Sequence, residues 1–123
     1  MTTQQHPVSV REQVDTLVAM LKEGRTLEAF ERFYHPDVVM QEKCDRPTIG
    51  KDANRLREQR FLDNMIEFRR LEHLGTTYGD DVTTTEWHYD FTHKSWGVCN
   101  FFQVAVQHWQ NGQIIKEKFY HTL

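Results

Sequence analysis

Val104 to His121 reads VAVQHWQNGQIIKEKFYH, two stretches of alternating side chains around Asn111-Gly112. That dipeptide is a strong signal for a tight hairpin turn. Trp96 to Gln110 and Gln113 to Leu123 are therefore expected to be paired antiparallel strands. Their register has two solutions. A two-residue type I′ turn sets Trp109 opposite Ile114 and turns Val98, Phe102, Val104 and Val106 inward with Ile115 and Phe119. A three-residue loop, Gln110-Asn111-Gly112 with Gly112 left-handed, puts Trp109 on the side of Ile115 and Glu117. Gln103, Ala105 and Gln107 then point inward. One residue of slip exchanges the faces, and hydropathy favours the first solution.

Moving outward, Glu67 to Tyr78 and Val82 to Thr92 read as two further strands. The turns are Tyr78-Gly79-Asp80-Asp81 and Thr92-His93-Lys94-Ser95. Before residue 65 the period changes. Ser9-x-x-Glu12 is a capping box, followed at helical spacing by Val10, Val14, Leu17 and Leu21, with Gly24 as the stop. A second helix is expected from Thr26, as its N-cap, to Tyr34, ended by Pro36. Asp37 to Glu42 is a short strand, Lys43 to Gly50 a loop, and Lys51 to Asn64 a third helix. Helices followed by a long meander predict an α+β fold, with helices on one face of a mostly antiparallel sheet.

The 123 residues leave room for one domain, residues 1–123. A hydrophobic content of 38%, including eight Phe and three Trp, is enough for a core, and a net charge of -3 removes the footprint of a general nucleic-acid binder. No apolar run approaches the roughly 18 residues of a membrane span, and MTTQQHP shows no secretory signal. Cys44 and Cys99 form no CxxC, which fits free thiols in a reducing cytoplasm. No GxGxxG or phosphate loop appears, so no nucleotide cofactor is expected, and no HExxH or Cys/His cluster points to a metal.

Three segments in order carry a resemblance: AFERFYHPDVVMQE (Ala29–Glu42), Gly50 opening the third helix, and the closing VAVQHWQNGQIIKEKFYH. Together they resemble the nuclear transport factor 2-like superfamily, which includes ketosteroid isomerases, scytalone dehydratases and SnoaL-like polyketide cyclases. The resemblance covers almost the whole chain. It implies a cystatin-like cone, a curved sheet wrapped around helices with a pocket for a small organic molecule, and a homodimer through the outer sheet face. It also favours the second register, because the family residue matching Trp109 lines the interior. In ketosteroid isomerases the segment matching YHPDVVMQE ends in the catalytic base, and Glu42 falls on that position. The family's oxyanion donors fall near Leu17 and Ala105, neither of which can donate.

The residues themselves nominate the same carboxylates. Val38, Met40 and Glu42 share one face of their strand, marked as inward by its apolar members. Lys116 and Lys118 prefer water, so Ile115, Glu117, Phe119 and His121 face inward. A carboxylate on an apolar face is partnered or shifted in pKa. If Glu42 and Glu117 meet in one pocket, one of them rises. Glu42 as base, with Glu117 and His121 as acid or orienting partner, would give cofactor-free proton transfer: isomerisation, cyclisation, dehydration or hydrolysis. Met40, Gln103, Trp109, Phe119, Trp87 and His88 would line the pocket. The competing reading for Glu42 is a solvated strand end, and for Glu117 a structural hydrogen-bonded group. Glu86, His88 and Asp90 read more simply as a polar sheet face than as a metal site. Arg55, Arg57, Arg60, Arg69 and Arg70 read either as an anion clamp at the pocket mouth or as a solvated face paired with Glu58 and Glu67. A non-catalytic binding or dimerisation module of the same fold is the alternative to an enzyme.

Overall fold

The computed structural model describes residues 8–123; MTTQQHP, which carried the reading on secretion, lies outside the described residues. The elements run α1 (Val10–Lys22), α2 (Thr26–Phe33), β1 (Tyr34–Glu42), β2 (Thr48–Ile49), α3 (Lys51–Asp63), β3 (Met65–Tyr78), β4 (Val82–His93), β5 (Gly97–Gln110) and β6 (Gln113–His121). The six strands form one sheet in the order β2-β1-β6-β5-β4-β3. The β1–β6 pair is parallel and the other neighbours are antiparallel.

Local chemistry sets the helix ends. The Glu12 amide donates to Ser9 Oγ at 3.1 Å. At the other end of α1, Gly24 takes a positive φ of 79°. Its N–H reaches the Leu21 carbonyl, and the Arg25 N–H reaches Met20. This is a Schellman ending, which glycine adopts without a Cβ penalty. The second helix differs from expectation. Arg25, not Thr26, is its N-cap, without a side-chain cap bond, and the helix stops at Phe33. Tyr34 already belongs to β1, so Pro36 lies in the strand instead of ending the helix. The β1–β6 register shifts between Tyr34 and Val39, which accommodates a residue with no N–H to give. The loop expected over Lys43 to Gly50 contains the two-residue β2. Asn54 on α3 ties this corner together, its amide donating to the Gly50 and Thr48 carbonyls at 2.8 and 3.1 Å.

The β5–β6 hairpin draws on both expected solutions. Asn111 and Gly112 both have positive φ, 49° and 79°, and Trp109 pairs with Ile114, as in the two-residue turn. Immediately beyond, the register shifts: His108 pairs with Lys116 and Gln107 with Glu117. Ile115 is the extra residue of a β-bulge. The bulge flips the faces, so Gln103, Ala105, Gln107 and Trp109 turn inward while Val98, Phe102, Val104 and Val106 turn outward. Ile114, fully buried, takes the inward place expected for Ile115.

Helices α1 and α2 pack Val14, Leu17, Met20, Ala29, Phe30 and Phe33 against Val38, Met40, Trp109 and Ile114. Burying such side chains contributes roughly 1.5–3 kcal/mol each. A second cluster, Phe91, Cys99 and Phe101 with Phe61, Met65 and Tyr89 against it, sits towards the α3 end. No helix among the described residues is long and apolar enough to cross a membrane.

Candidate functional site

The concave face of β4–β6 is only partly filled by helices. On α3, Asn54, Glu58 and Phe61 recur at helical spacing and form its inward stripe. Between this stripe and the sheet lies a cavity of about 800 Å³, within the range of small-molecule sites. Phe61, Tyr89, Phe91, Phe101 and Phe119 give it an aromatic wall. A recess of about 80 Å³ adjoins it, sharing Glu58, Tyr89, Gln103 and Phe119. Glu117 and Gln107 line that recess, with Tyr34, Leu17 and Ala105.

Glu117 is 3% exposed. The Tyr34 hydroxyl donates to its Oε1, and the Gln107 amide donates to its Oε2 at 2.9 Å. Gln107 is itself fixed: Thr83 donates to its carbonyl at 2.8 Å and its amide also donates to Thr85 at 3.0 Å. Trp109 Nε1 donates to Thr83 at 2.9 Å. The chain of bonds thus locks the carboxyl in one orientation. Burial pushes Glu117 up to about 7, against the pull of both hydrogen bonds. Burial and the adjacent Glu117 hold the Tyr34 phenol well above its ordinary value, so it stays a donor.

Glu58 occupies the junction of the two chambers. It has no hydrogen-bond or ion-pair partner among the described residues. Burial raises it to about 7, Arg57 opposes the rise, and Glu42 adds to it. Although its side chain keeps some accessible surface, that surface lies within the cavity, so desolvation still governs it. At the mouth, Glu42 lies 3.4 Å from Arg57 and 3.8 Å from His121 Nε2. Nδ1 of His121 is buried with no partner among the described residues.

No protein-family model and no curated protein matches the chain. Solved structures do. A candidate SnoaL-like polyketide cyclase from Mesorhizobium loti is 24% identical, with 92% of this chain and 99% of that one covered, at a TM-score of 0.85. A candidate polyketide cyclase from Pseudomonas putida is 16% identical, covering 94% and 93%, at a TM-score of 0.77. A protein of unknown function from Burkholderia pseudomallei, described as nuclear transport factor 2-like, is 14% identical over 89% and 87%, at 0.73. The chain has the nuclear transport factor 2-like fold.

Within this fold the nominated residues separate into groups. Glu42, His121, Gln103 and Phe119 line the main cavity; Glu117 and Trp87 line the recess, with Gln103 and Phe119 common to both. Glu42 and Glu117 do not bond to each other. The carboxyl that interacts with each of them is Glu58, which enters the sequence analysis only as a partner of the arginines in the solvated-face alternative. Its signal was the Asn54–Glu58–Phe61 stripe, obscured by the surrounding arginines. Met40 and Trp109 are corrected from pocket to core: the helices of this nuclear transport factor 2-like fold cover them. His88 is corrected to the outer face, where it bonds Asn100 at 2.6 Å and stacks on Phe102. Glu86 and Asp90 share that face by alternation, and Asp90 pairs with Arg69 at 3.0 Å. The arginines also divide. Arg57 and Arg60 line the cavity mouth, whereas Arg55 pairs with Glu31 and Asp52, Arg69 with Glu67 and Asp90, and Arg70 with Glu72.

Proposed function

We propose that residues 1–123 act as one domain that binds a small organic molecule in the aromatic cavity and catalyses a cofactor-free proton transfer on it. The observation that supports this most is Glu117, a buried carboxyl pushed to about 7 and lining the recess beside the aromatic wall of the cavity. A group poised near neutrality exchanges protons best at neutral pH. Two neutral donors hold its ionised form, which fits it to be the base. Glu42 and His121, paired at the mouth, would orient the ligand or relay protons to solvent. Isomerisation, cyclisation, dehydration and hydrolysis all suit this arrangement. The similarity to candidate polyketide cyclases favours carbonyl chemistry on an enolisable compound.

Leu17 and Ala105 line the recess and offer no side-chain donor, so the oxyanion arrangement of ketosteroid isomerases does not transfer. The same two residues favour the alternative, a non-catalytic binding module. The experiment that separates them is hydrogen–deuterium exchange of β-tetralone, an aromatic ketone with an acidic C–H, followed by proton NMR in D₂O. Exchange faster than in buffer, lost in Glu117→Gln, is expected. Binding without exchange would select the binding module.

A homodimer through the outer sheet face belongs to the same proposal. Val98 is 74% exposed, Phe102 51% and Tyr120 48%, apolar side chains that association of two sheets would take out of water. Cytoplasmic residence is proposed from the two free thiols, exposed Cys44 and buried Cys99.

A further inference from the structure

We propose that Glu58 is a second catalytic residue, the general acid that faces Glu117 across the recess, and that the two carboxyls hold one proton between them. The inference rests on the acid–base reading above and adds to it a residue outside the carboxylates that strand alternation nominates.

Three observations carry it. Glu58 lines both chambers, so a ligand that fills the cavity and reaches the recess passes against it. Its carboxyl has no protein partner among the described residues and is free to bond a ligand. Glu117, by contrast, accepts from Tyr34 and Gln107 through both oxygens. Two carboxylates lining one small recess repel, so one proton is retained. The hydrogen bonds decide where it sits. They support the charge on Glu117, which leaves the proton on Glu58.

The titratable and charged groups lining the two chambers with Glu58 are Arg57 and Arg60 on its own helix, Glu42 and Tyr34 on β1, Asp45 just after β1, Tyr89 and His93 on β4, Cys99 on β5, and Glu117 and His121 on β6. Tyr34 and Tyr89 are held protonated by burial, with Glu117 and Glu58 adding to the rise. Arg57 opposes the retained proton, but it already lies 3.4 Å from Glu42.

The step balances on a ketone. Glu117 takes the proton from the carbon beside the carbonyl, and the C–H electron pair becomes the C=C bond. The carbonyl π pair takes the proton of Glu58 and becomes the enol O–H. Glu117 is then protonated and Glu58 ionised. One proton passed back across the recess restores the start.

The test is carboxyl titration by ¹³C NMR with labelled glutamate, in the unaltered protein and in E58Q and E117Q. In the unaltered protein Glu58 and Glu117 should titrate as a coupled pair in two steps. In E58Q the Glu117 carboxyl should collapse to one step at lower pH, and in E117Q the Glu58 carboxyl should do the same. Glu58 titrating in the ordinary carboxylate range of the unaltered protein, or a Glu117 curve unmoved in E58Q, overturns the proposal. This readout needs no ligand and no variant for its first arm. In β-tetralone exchange, E58Q should be slower by a factor on the order of 10² to 10⁴. Exchange by the unaltered protein that E58Q leaves unchanged overturns the role of Glu58 alone. No exchange by the unaltered protein overturns the acid–base function, while the titration still decides whether the pair shares a proton.

Discussion

Glu117 and its neighbours show how single side chains set the chemistry of the recess. Gln107 has three polar contacts, to Thr83, Thr85 and Glu117, and no solvent to replace them. Replacing it with Leu leaves Thr83 without its acceptor and Glu117 one donor short. A loss of about 1–3 kcal/mol is expected in urea denaturation, with the Glu117 carboxyl rising further. Glu58 gives a pH dependence of defined sign. Its folded pKa of about 7 lies above its ordinary 4.5, so the folded state binds the extra proton. Its contribution to stability is complete below the unfolded pKa and is lost as pH rises through about 7. Between about pH 5 and pH 8 the unaltered protein should therefore lose roughly 2 kcal/mol relative to E58Q, the cavity surface of Glu58 keeping the figure low. Parallel denaturation curves at both pH values, with no such difference, would show that Glu58 is not desolvated.

Elements carry a different kind of constraint, in which one residue sets the direction of many. The Ile115 bulge is the clearest case. Downstream of it Glu117, Phe119 and His121 face the cavity and Lys116 and Lys118 face out. Deleting Ile115 would keep the Asn111-Gly112 turn yet turn the lysines inward and the site residues outward. The expected product is insoluble or unfolded chain, judged by a two-dimensional amide NMR spectrum; a native-like spectrum would show that β6 can re-register. The Schellman ending of α1 is a milder device. Gly24→Ala adds a Cβ at a φ of 79°, where nothing lies within 4 Å, so the cost is backbone strain alone. About 1 kcal/mol is expected by thermal denaturation.

On the scale of the whole molecule, the sheet has an aromatic concave face enclosing the cavity and a convex face on which Val98, Phe102, Val104 and Tyr120 stand among charged and polar side chains. The proposed dimer would cover the second, with a two-fold interface using the same residues on each side. Sedimentation at micromolar concentration should give twice the 14.7 kDa chain mass. Val104, half-buried on the convex face, is the discriminating position. Val104→Glu should split the dimer and leave a folded monomer. A single chain-mass species for the unaltered protein would reject the dimer.

The period change near residue 65, the Ser9–Glu12 cap, the Gly24 stop and the Asn111-Gly112 turn were all legible because each depends on neighbours a few residues apart. Alternation likewise put Glu42, Glu117 and His121 on inward faces, and the order of segments conveyed the fold. The rest required long-range packing. Whether β5 shows its valines or its glutamines to the cavity depends on one bulge, which no local preference of Ile-Ile announces. Met40 and Trp109 have the side chains of pocket walls, yet the packing of α1 and α2 across the sheet covers them. His88 shares its alternation with Glu86 and Asp90, but whether that row faced a ligand or the outer surface followed from the register of the whole sheet. Glu58 lies in a run of charges that reads as a wetted helix. Its separation from water, and hence its shifted carboxyl, is created by a sheet whose strands begin after it in sequence or lie across a crossover. Desolvation is a property of the surrounding volume, and that volume exists only once the chain has closed around it.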